Sequence, residues 1–391
     1  MNINDIYLIL IIIIILLFII LFIIRNKTIE SYENEISNLT YYRCESKMLG
    51  KVIQDIFDNN KIIKSNDDWN IYIPCGYNDV EEELKKIYIK DEKTNKYIFG
   101  LNGCDTIVSK NKIWESLVNC FGRKYASTLM PESFVLDDLN ELELFRKNYN
   151  PSLNEIYILK KNVQRKEGLK LTRDYFEILD GSKEEYRVAQ KYITNLYLIN
   201  ERKVNLRIYL LIVIKENYIH FYISEKGKCI YTNKKYDHND LDFESNITSY
   251  NLDMSVYEES PRVFEELINY IDKKEGNNIM KFKGGNYLFN KINKLMEEVS
   301  ICLSKNLYQS KNIKNTIAFQ LFGADVIFDN ELHPYLLELN KGPDMSPRDE
   351  IDEKMKNEVQ TDMLKIVGIL PDNGENSFHP IFKTLTNEKK N

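Results

Sequence analysis

The chain has 391 residues, enough for two or three domains with a sizeable core. Hydrophobic side chains make up 43% and charged ones 29%, which excludes a disordered chain; a net charge of −6, from 53 basic and 59 acidic residues, excludes a general attraction to nucleic acid. The six cysteines are scattered without a CxxC pair and the four histidines are isolated. Neither a disulfide framework, a zinc site nor a Cys–His nucleophile is therefore expected, and reduced thiols are.

The run IYLILIIIIILLFIILFII, residues 6–24, carries no charge. As a helix at ~1.5 Å per residue it covers close to the ~30 Å bilayer core, and no face of it is polar. RNKTIESYEN follows it, not the small residues of a cleavage site. This predicts a transmembrane anchor over residues 1–25, with Arg25 and Lys27 placing the soluble domain of a single-pass membrane protein in the cytosol. Residues 26–65 read as a polar, helical stalk.

A first unit, 66–150, contains strand-like WNIYIP and TIVSK, the helical KIWESLVNCFG, and a strand in LMPESFVL. A second, 151–215, contains NEIYILKKN, YRVAQKYI and VNLRIYLLIVI, the last apolar enough for a central strand covered on both faces. A third, 216–371, begins with a strand at YIHFYIS and continues through a helical stretch from Pro261 to Asn315. FQLFGADVIFDNELHPYLLELN then reads as a hairpin turning at DNEL, and DEKMKNEVQTDMLKIVGIL as a helix. Residues 372–391 read as a loose tail. The soluble part is expected to be an α+β assembly of about three lobes.

Chemistry concentrates in the hairpin. Side chains alternate along a strand, so Glu338 and Asn340 share a face while Leu337 and Leu339 take the other. Asp325 faces the neighbourhood of Glu338 across the ladder. Two carboxylates and an amide oxygen suit Mg²⁺ that keeps water and phosphate as its remaining ligands; a polar hairpin face without an ion is the plainer alternative. Lys160 ends a strand and precedes a polar loop bearing Gly168, an arrangement suited to phosphate, although GxxxxGK[ST] is absent. Arg207 interrupts an apolar strand and must meet a carboxylate, a phosphate or solvent.

Taken in order, SKNKIWESL, FGRKYASTLMPESFVL, YILKKNVQRKEGLKL, AQKYI, RKVNLRIYLLIV and GADVIFDNELHPYLLELNKGPDMSP resemble the tubulin–tyrosine ligase-like family of ATP-grasp amino-acid ligases, from Cys104 to Leu370. The resemblance implies an ATP-grasp fold. It implies that Lys110 and Lys160 contact ATP phosphates, with Gly168 in the loop between strands. Gln190, Lys191, Tyr192 and Ile193 would form the adenine hinge, and Lys203 would lie near ribose and phosphates, with Thr248 also at the nucleotide. Asp325, Glu338 and Asn340 would hold Mg²⁺, and Arg207 would face the reacting carboxyl group. The implied reaction joins an amino acid, glutamate first among candidates, to a protein carboxylate, for example on tubulin, through an acyl phosphate. Three departures stand out. Asn205 replaces the family's usual aspartate, Ile230 stands where many members have arginine, with Lys228 nearby, and the family's Thr–Asn pair is met by Thr248 and Ser249. They leave open a second reading, a catalytically silent nucleotide-binding module that docks on microtubules or another protein.

Overall fold

The fold is organised by strands too apolar to leave either face in water. The structure is a computed structural model and describes residues 13–19, 39–87, 89, 96–163, 168–248, 252–275 and 285–386. Its strands are β1 (Thr40–Tyr42), β2 (Ile63–Lys64), β3 (Ile71–Tyr72), β4 (Tyr97–Phe99), β5 (Ser133–Val135), β6 (Tyr157–Lys160) and β7 (Leu169–Thr172). There follow β8 (Val188–Lys191), β9 (Leu198–Ile199), β10 (Arg202–Lys215), β11 (Tyr218–Tyr231), β12 (Ile317–Phe328), β13 (Pro334–Asn340) and β14 (Phe378–Leu385). Its helices begin with α1 (13–19), α2 (Lys51–Asn59), α3 (Val80–Lys86), α4 (Cys104–Val108), α5 (Lys110–Phe121), α6 (Arg123–Leu129) and α7 (Leu139–Asn148). They continue with α8 (Tyr175–Leu179), α9 (Phe243–Asn246), α10 (Val256–Glu259), α11 (Phe264–Glu275), α12 (Gly285–Leu303) and α13 (Glu350–Val367).

Ten strands form one sheet in the order β14-β11-β10-β12-β4-β3-β1-β2, with β13 also on β12 and β9 on β10. The alternation of β10 explains the layering. Leu206, Ile208, Leu210 and Ile212 face a core shared with Phe264, Leu267, Leu288 and Ile292 of α11 and α12. Tyr209, Leu211 and Val213 face the opposite core, with Ile53 and Phe57 of α2 and Val359 and Met363 of α13. The strand is thus covered on both faces, as its near-continuous apolar run requires. A second, four-stranded sheet, β5-β8-β6-β7, packs Phe134, Tyr157 and Leu159 against Leu142 and Phe145 of α7.

Strands expected in separate first and third units share the large sheet, because β4 runs parallel to β12 with Ala318 opposite Ile98. The expected stalk is folded from Thr40 on. Tyr41 pairs with Ile71, and α2 buries Val52, Ile53, Ile56 and Phe57; residues 26–38 lie outside the described ones. TIVSK forms a helical turn and the start of α5 rather than a strand, because Cys104 and Ile107 fill the core from one side of α4. The expected loose tail forms β14, paired with β11 from Tyr218↔Leu385 to Ser224↔Phe378. Cys44 and Cys75 are joined in a disulfide with their Cα atoms 5.5 Å apart, against the expectation of reduced thiols throughout. Thirty-one positions separate the two in sequence, so only the pairing of β1 with β3 brings them together.

The expected single-pass membrane localisation is also corrected. Among the described residues no helix is long and apolar enough to cross a membrane. Of the run 6–24 only residues 13–19 are described, as the helix α1. The rest of the run lies outside the described residues.

Candidate active site

Three neighbouring strands set the centre of the site. Register places Arg207 of β10 opposite Asp325 of β12, and Asp325 opposite Glu338 of β13. Arg207 grips Asp325 through both ends of its fork, Nη2 donating to Oδ2 at 2.8 Å and Nε to Oδ1. Burial opposes the charge on Arg207, but the Asp325 carboxylate outweighs it and raises the guanidinium above its ordinary range. The Lys110 ammonium, brought in by the first residue of α5, stands 3.6 Å from Glu338 Oε2. Burial pushes the Glu338 carboxyl up, yet Lys110, Lys160 and Arg207 together win and hold it below the usual carboxylate range.

The hairpin differs from the expected alternation in one respect. The register slips between Asp325↔Glu338 and Val326↔Leu336, leaving Leu337 as an extra, bulged residue. Leu336 and Leu339 are buried, whereas Leu337 lines the cavity beside Glu338. Lys160 Nζ donates to the Leu337 carbonyl at 3.4 Å. The bulge therefore supplies an acceptor for a buried lysine, which strict alternation would not.

These residues line one cleft of about 770 Å³ between the two sheets. From the small sheet come Lys160, Gln190 and Lys191, followed by Tyr192 and Ile193; from the large sheet come Lys203, Arg207, Asp325, Glu338 and Asn340; Lys110 and Thr248 complete the set. Gly168 does not line it. It lies immediately before β7, its carbonyl accepting from Lys161 N at 2.8 Å. The amides of Lys191 and Tyr192 are committed to the carbonyls of Glu132 and Ile156, so a base bound there cannot be read by those two N–H groups. Gln190 Nε2 donates to Ser133 Oγ at 3.1 Å.

Lys203 has neutral partners. Its Nζ donates to Tyr192 Oη at 3.1 Å and to the Asn246 carbonyl at 2.9 Å, and it stands 4.4 Å from the centre of the Tyr192 ring. Burial lowers it to about 7, with Lys160 adding to the effect. Burial likewise lowers Lys160 to about 8 against the pull of Glu338. Both lysines bind fewer protons folded than unfolded from about pH 7 up to the ordinary value of 10.5. Ligand-free protein should therefore become more stable as pH rises across that window. Urea midpoints at pH 7 and pH 9 check this, and in Lys203→Met the gain should shrink.

Asn205 donates through Nδ2 to Thr248 Oγ1 at 3.0 Å, while its Oδ1 is buried without a partner among the described residues. Ser249, the other half of the expected pair, lies outside them.

Sequence reasoning did not single out Gly323, Arg348, Asp352 or Lys356. Gly323 faces Arg207 so closely that a Cβ there would lie 2.8 Å from Arg207 Cδ and 3.1 Å from Pro343 Cβ. Gly323→Ala should displace the guanidinium, lowering turnover by up to about 10²-fold and, by loosening the buried pair with Asp325, also lowering the melting temperature, as kinetics and thermal unfolding would report. The only sequence signal is a glycine within an otherwise bulky strand. Beside Arg207, which register places opposite Lys228, the ammonium groups of Lys228 and Lys356 both reach Asp352, at 3.0 and 2.9 Å, and Arg348 also lines the cleft. Lys356 and Asp352 sit one helical turn apart on α13, a spacing common enough to carry no signal alone.

Asp325, Glu338 and Asn340 present oxygen donors on adjoining strands facing the cleft, a set whose chemistry fits Mg²⁺. A model of the tubulin-tyrosine ligase family matches residues 88–377, about three quarters of the chain and the whole of this site. The chain belongs to the tubulin-tyrosine ligase family. It is similar to the tubulin monoglutamylase TTLL4 of Homo sapiens, 23% identical over 338 residues covering 81% of this chain and 26% of that protein. It is also similar to the tubulin polyglutamylase TTLL6 of Mus musculus, 23% identical over 321 residues covering 78% of this chain and 37% of the relative. With the probable tubulin polyglutamylase ttll-9 of Caenorhabditis elegans it shares 22% over 386 residues, 88% and 85% of the two chains. The chain thus spans about a quarter of the first relative's length and somewhat over a third of the second's. Its mixed α+β architecture is consistent with that family, as expected from the sequence.

Proposed function

We propose that this family member is an ATP- and Mg²⁺-dependent ligase that joins an amino acid, glutamate first, to a carboxylate on a protein acceptor, with tubulin the first acceptor to test. The observation that carries the reading is the convergence of Lys110, Lys160 and Arg207 on Asp325, Glu338 and Asn340 in one cleft. Lys110 and Lys160 would bind the phosphates and Arg207 would orient the acceptor carboxylate. One carboxylate oxygen attacks the γ-phosphorus, the bond to ADP breaks, and an acyl phosphate forms. The amino group of the incoming amino acid then attacks the acyl carbon, phosphate leaves, and an amide remains. Mg²⁺, held by Asp325, Glu338 and Asn340, would supply charge neutralisation on the phosphates. The walls contribute positioning and electrostatic stabilisation more than covalent chemistry.

The choice of an acidic amino acid is supported by the part of the cleft next to Arg207, which Lys228 faces across the ladder. There two ammonium groups, Lys228 and Lys356, share the single carboxylate of Asp352, with Arg348 beside them. An added carboxylate would meet net positive charge. The silent, docking reading rests on Asn205 and Ile230, which leave an uncharged amide and an apolar side chain in the cleft wall. Incubation with Mg·ATP, each amino acid in turn and either tubulin or a cell lysate separates the two. Amino-acid-dependent ADP release with transfer to a protein supports the ligase; nucleotide binding without such release supports the silent module and overturns the ligase.

A further inference from the structure

The lysines of the cleft differ in what stands beside them. Lys110 lies 3.6 Å from Glu338, Lys228 and Lys356 share Asp352, and Glu338 pulls Lys160 toward its charged form. Lys203 lines the same cleft, is 5% exposed, and has no carboxylate partner among the described residues. The groups that face it are the Tyr192 hydroxyl just beyond β8, the Asn246 carbonyl at the end of α9, and the like-charged Lys160 of β6; Tyr236 acts on Tyr192 in turn. Both hydrogen bonds of Lys203 are donations, to Tyr192 Oη at 3.1 Å and to the Asn246 carbonyl at 2.9 Å. A neutral amine has two N–H groups, and these acceptors use both. An ammonium has a third, for which the described residues supply no acceptor. The Tyr192 ring, 4.4 Å away, offsets only part of the cost of a buried charge, and burial lowers the amine to about 7.

We infer that Lys203 is neutral in the ligand-free protein at mildly alkaline pH and takes up a solvent proton when a nucleotide phosphate enters the cleft. The phosphate is the counter-charge and the third acceptor that the chain itself does not supply. The inference rests on the nucleotide reading of the cleft given above. The proton moves from solvent onto Nζ, and a phosphate oxygen accepts the hydrogen bond that the new N–H donates. Binding is thereby linked to pH. Once the free amine has lost its proton, each proton taken up makes affinity fall about tenfold per pH unit.

The test titrates Mg·ADP into the full chain at pH 8, by calorimetry in buffers of different ionisation heat, which counts the protons exchanged. Phosphate is already ionised at that pH and contributes none. Lys203, lowered to about 7, should take up close to one proton per ADP bound. Lys160, lowered to about 8, adds a share of its own. Uptake should therefore fall by about one proton in Lys203→Met, while Lys160→Met should keep most of that proton and bind Mg·ADP about tenfold more weakly at pH 9 than at pH 8. Should Lys203→Met fail to fold, the parent protein and Lys160→Met still decide. Mg·ADP binding without proton uptake by the parent protein, or with uptake unchanged in Lys203→Met, overturns the inference and leaves the nucleotide reading standing. Failure of the parent protein to bind Mg·ADP overturns the nucleotide reading, and this inference with it.

Discussion

Replacing Glu338 by glutamine should lower amino-acid-dependent ADP release by about 10²–10³-fold, the scale of losing one preorganised charge-stabilising group. The shape is kept and the charge removed, so the change isolates electrostatics. Two losses coincide in it. The oxygen set of Asp325, Glu338 and Asn340 loses one of its two carboxylates, and Lys110, 3.6 Å away, loses its anionic neighbour. Lys160 loses the charge that opposes its desolvation, and its ammonium should release its proton more readily still. Steady-state ADP release at saturating ATP, with thermal unfolding as a fold control, measures the effect. Turnover equal to that of the parent protein would remove Glu338 from the metal and phosphate assignment.

The second large effect is on stability. Arg207→Met should cost about 3–5 kcal/mol, because it leaves the Asp325 carboxylate buried without its partner. The guanidinium makes both of its carboxylate contacts through a planar fork, so Arg207→Lys should rescue only part of the loss. Arg207→Met combined with Asp325→Asn removes both charges and should recover much of the stability while remaining inactive. Urea unfolding of the single and double variants gives the coupling directly; additive losses would show that the pair is not the source of the cost.

Much of this site was legible from residue order. The hairpin could be placed because β12 and β13 are long, apolar and separated by DNEL, where Asp329 Oδ1 accepts from the amides of Glu331 and His333. Arg207 could be singled out because a charge within an apolar strand needs a partner, and the register supplies Asp325. What could not be read depends on contacts between distant segments. The Leu337 bulge arises from pairing between two strands, so its place does not show in either one. The helical state of Cys104–Val108 is decided by packing against the core, although its sequence has strand character. Thr40–Tyr42 and Phe378–Leu385 are short or polar stretches that become strands only because an edge is available to them.

The last of those edge strands has a bearing on how the molecule is made. β11 presents its outer backbone to β14 from Tyr218 to Ser224, and β14 lies just beyond residue 377, where the match to the family ends. During synthesis, nine of the sheet's ten strands, through β13, can assemble and receive α13 while that outer edge still carries unpaired amides and carbonyls. An uncovered edge of this kind is a template for pairing with other chains. Only when Phe378–Leu385 has left the ribosome can the nascent protein close its own sheet, so the interval before that is when a chaperone would matter most.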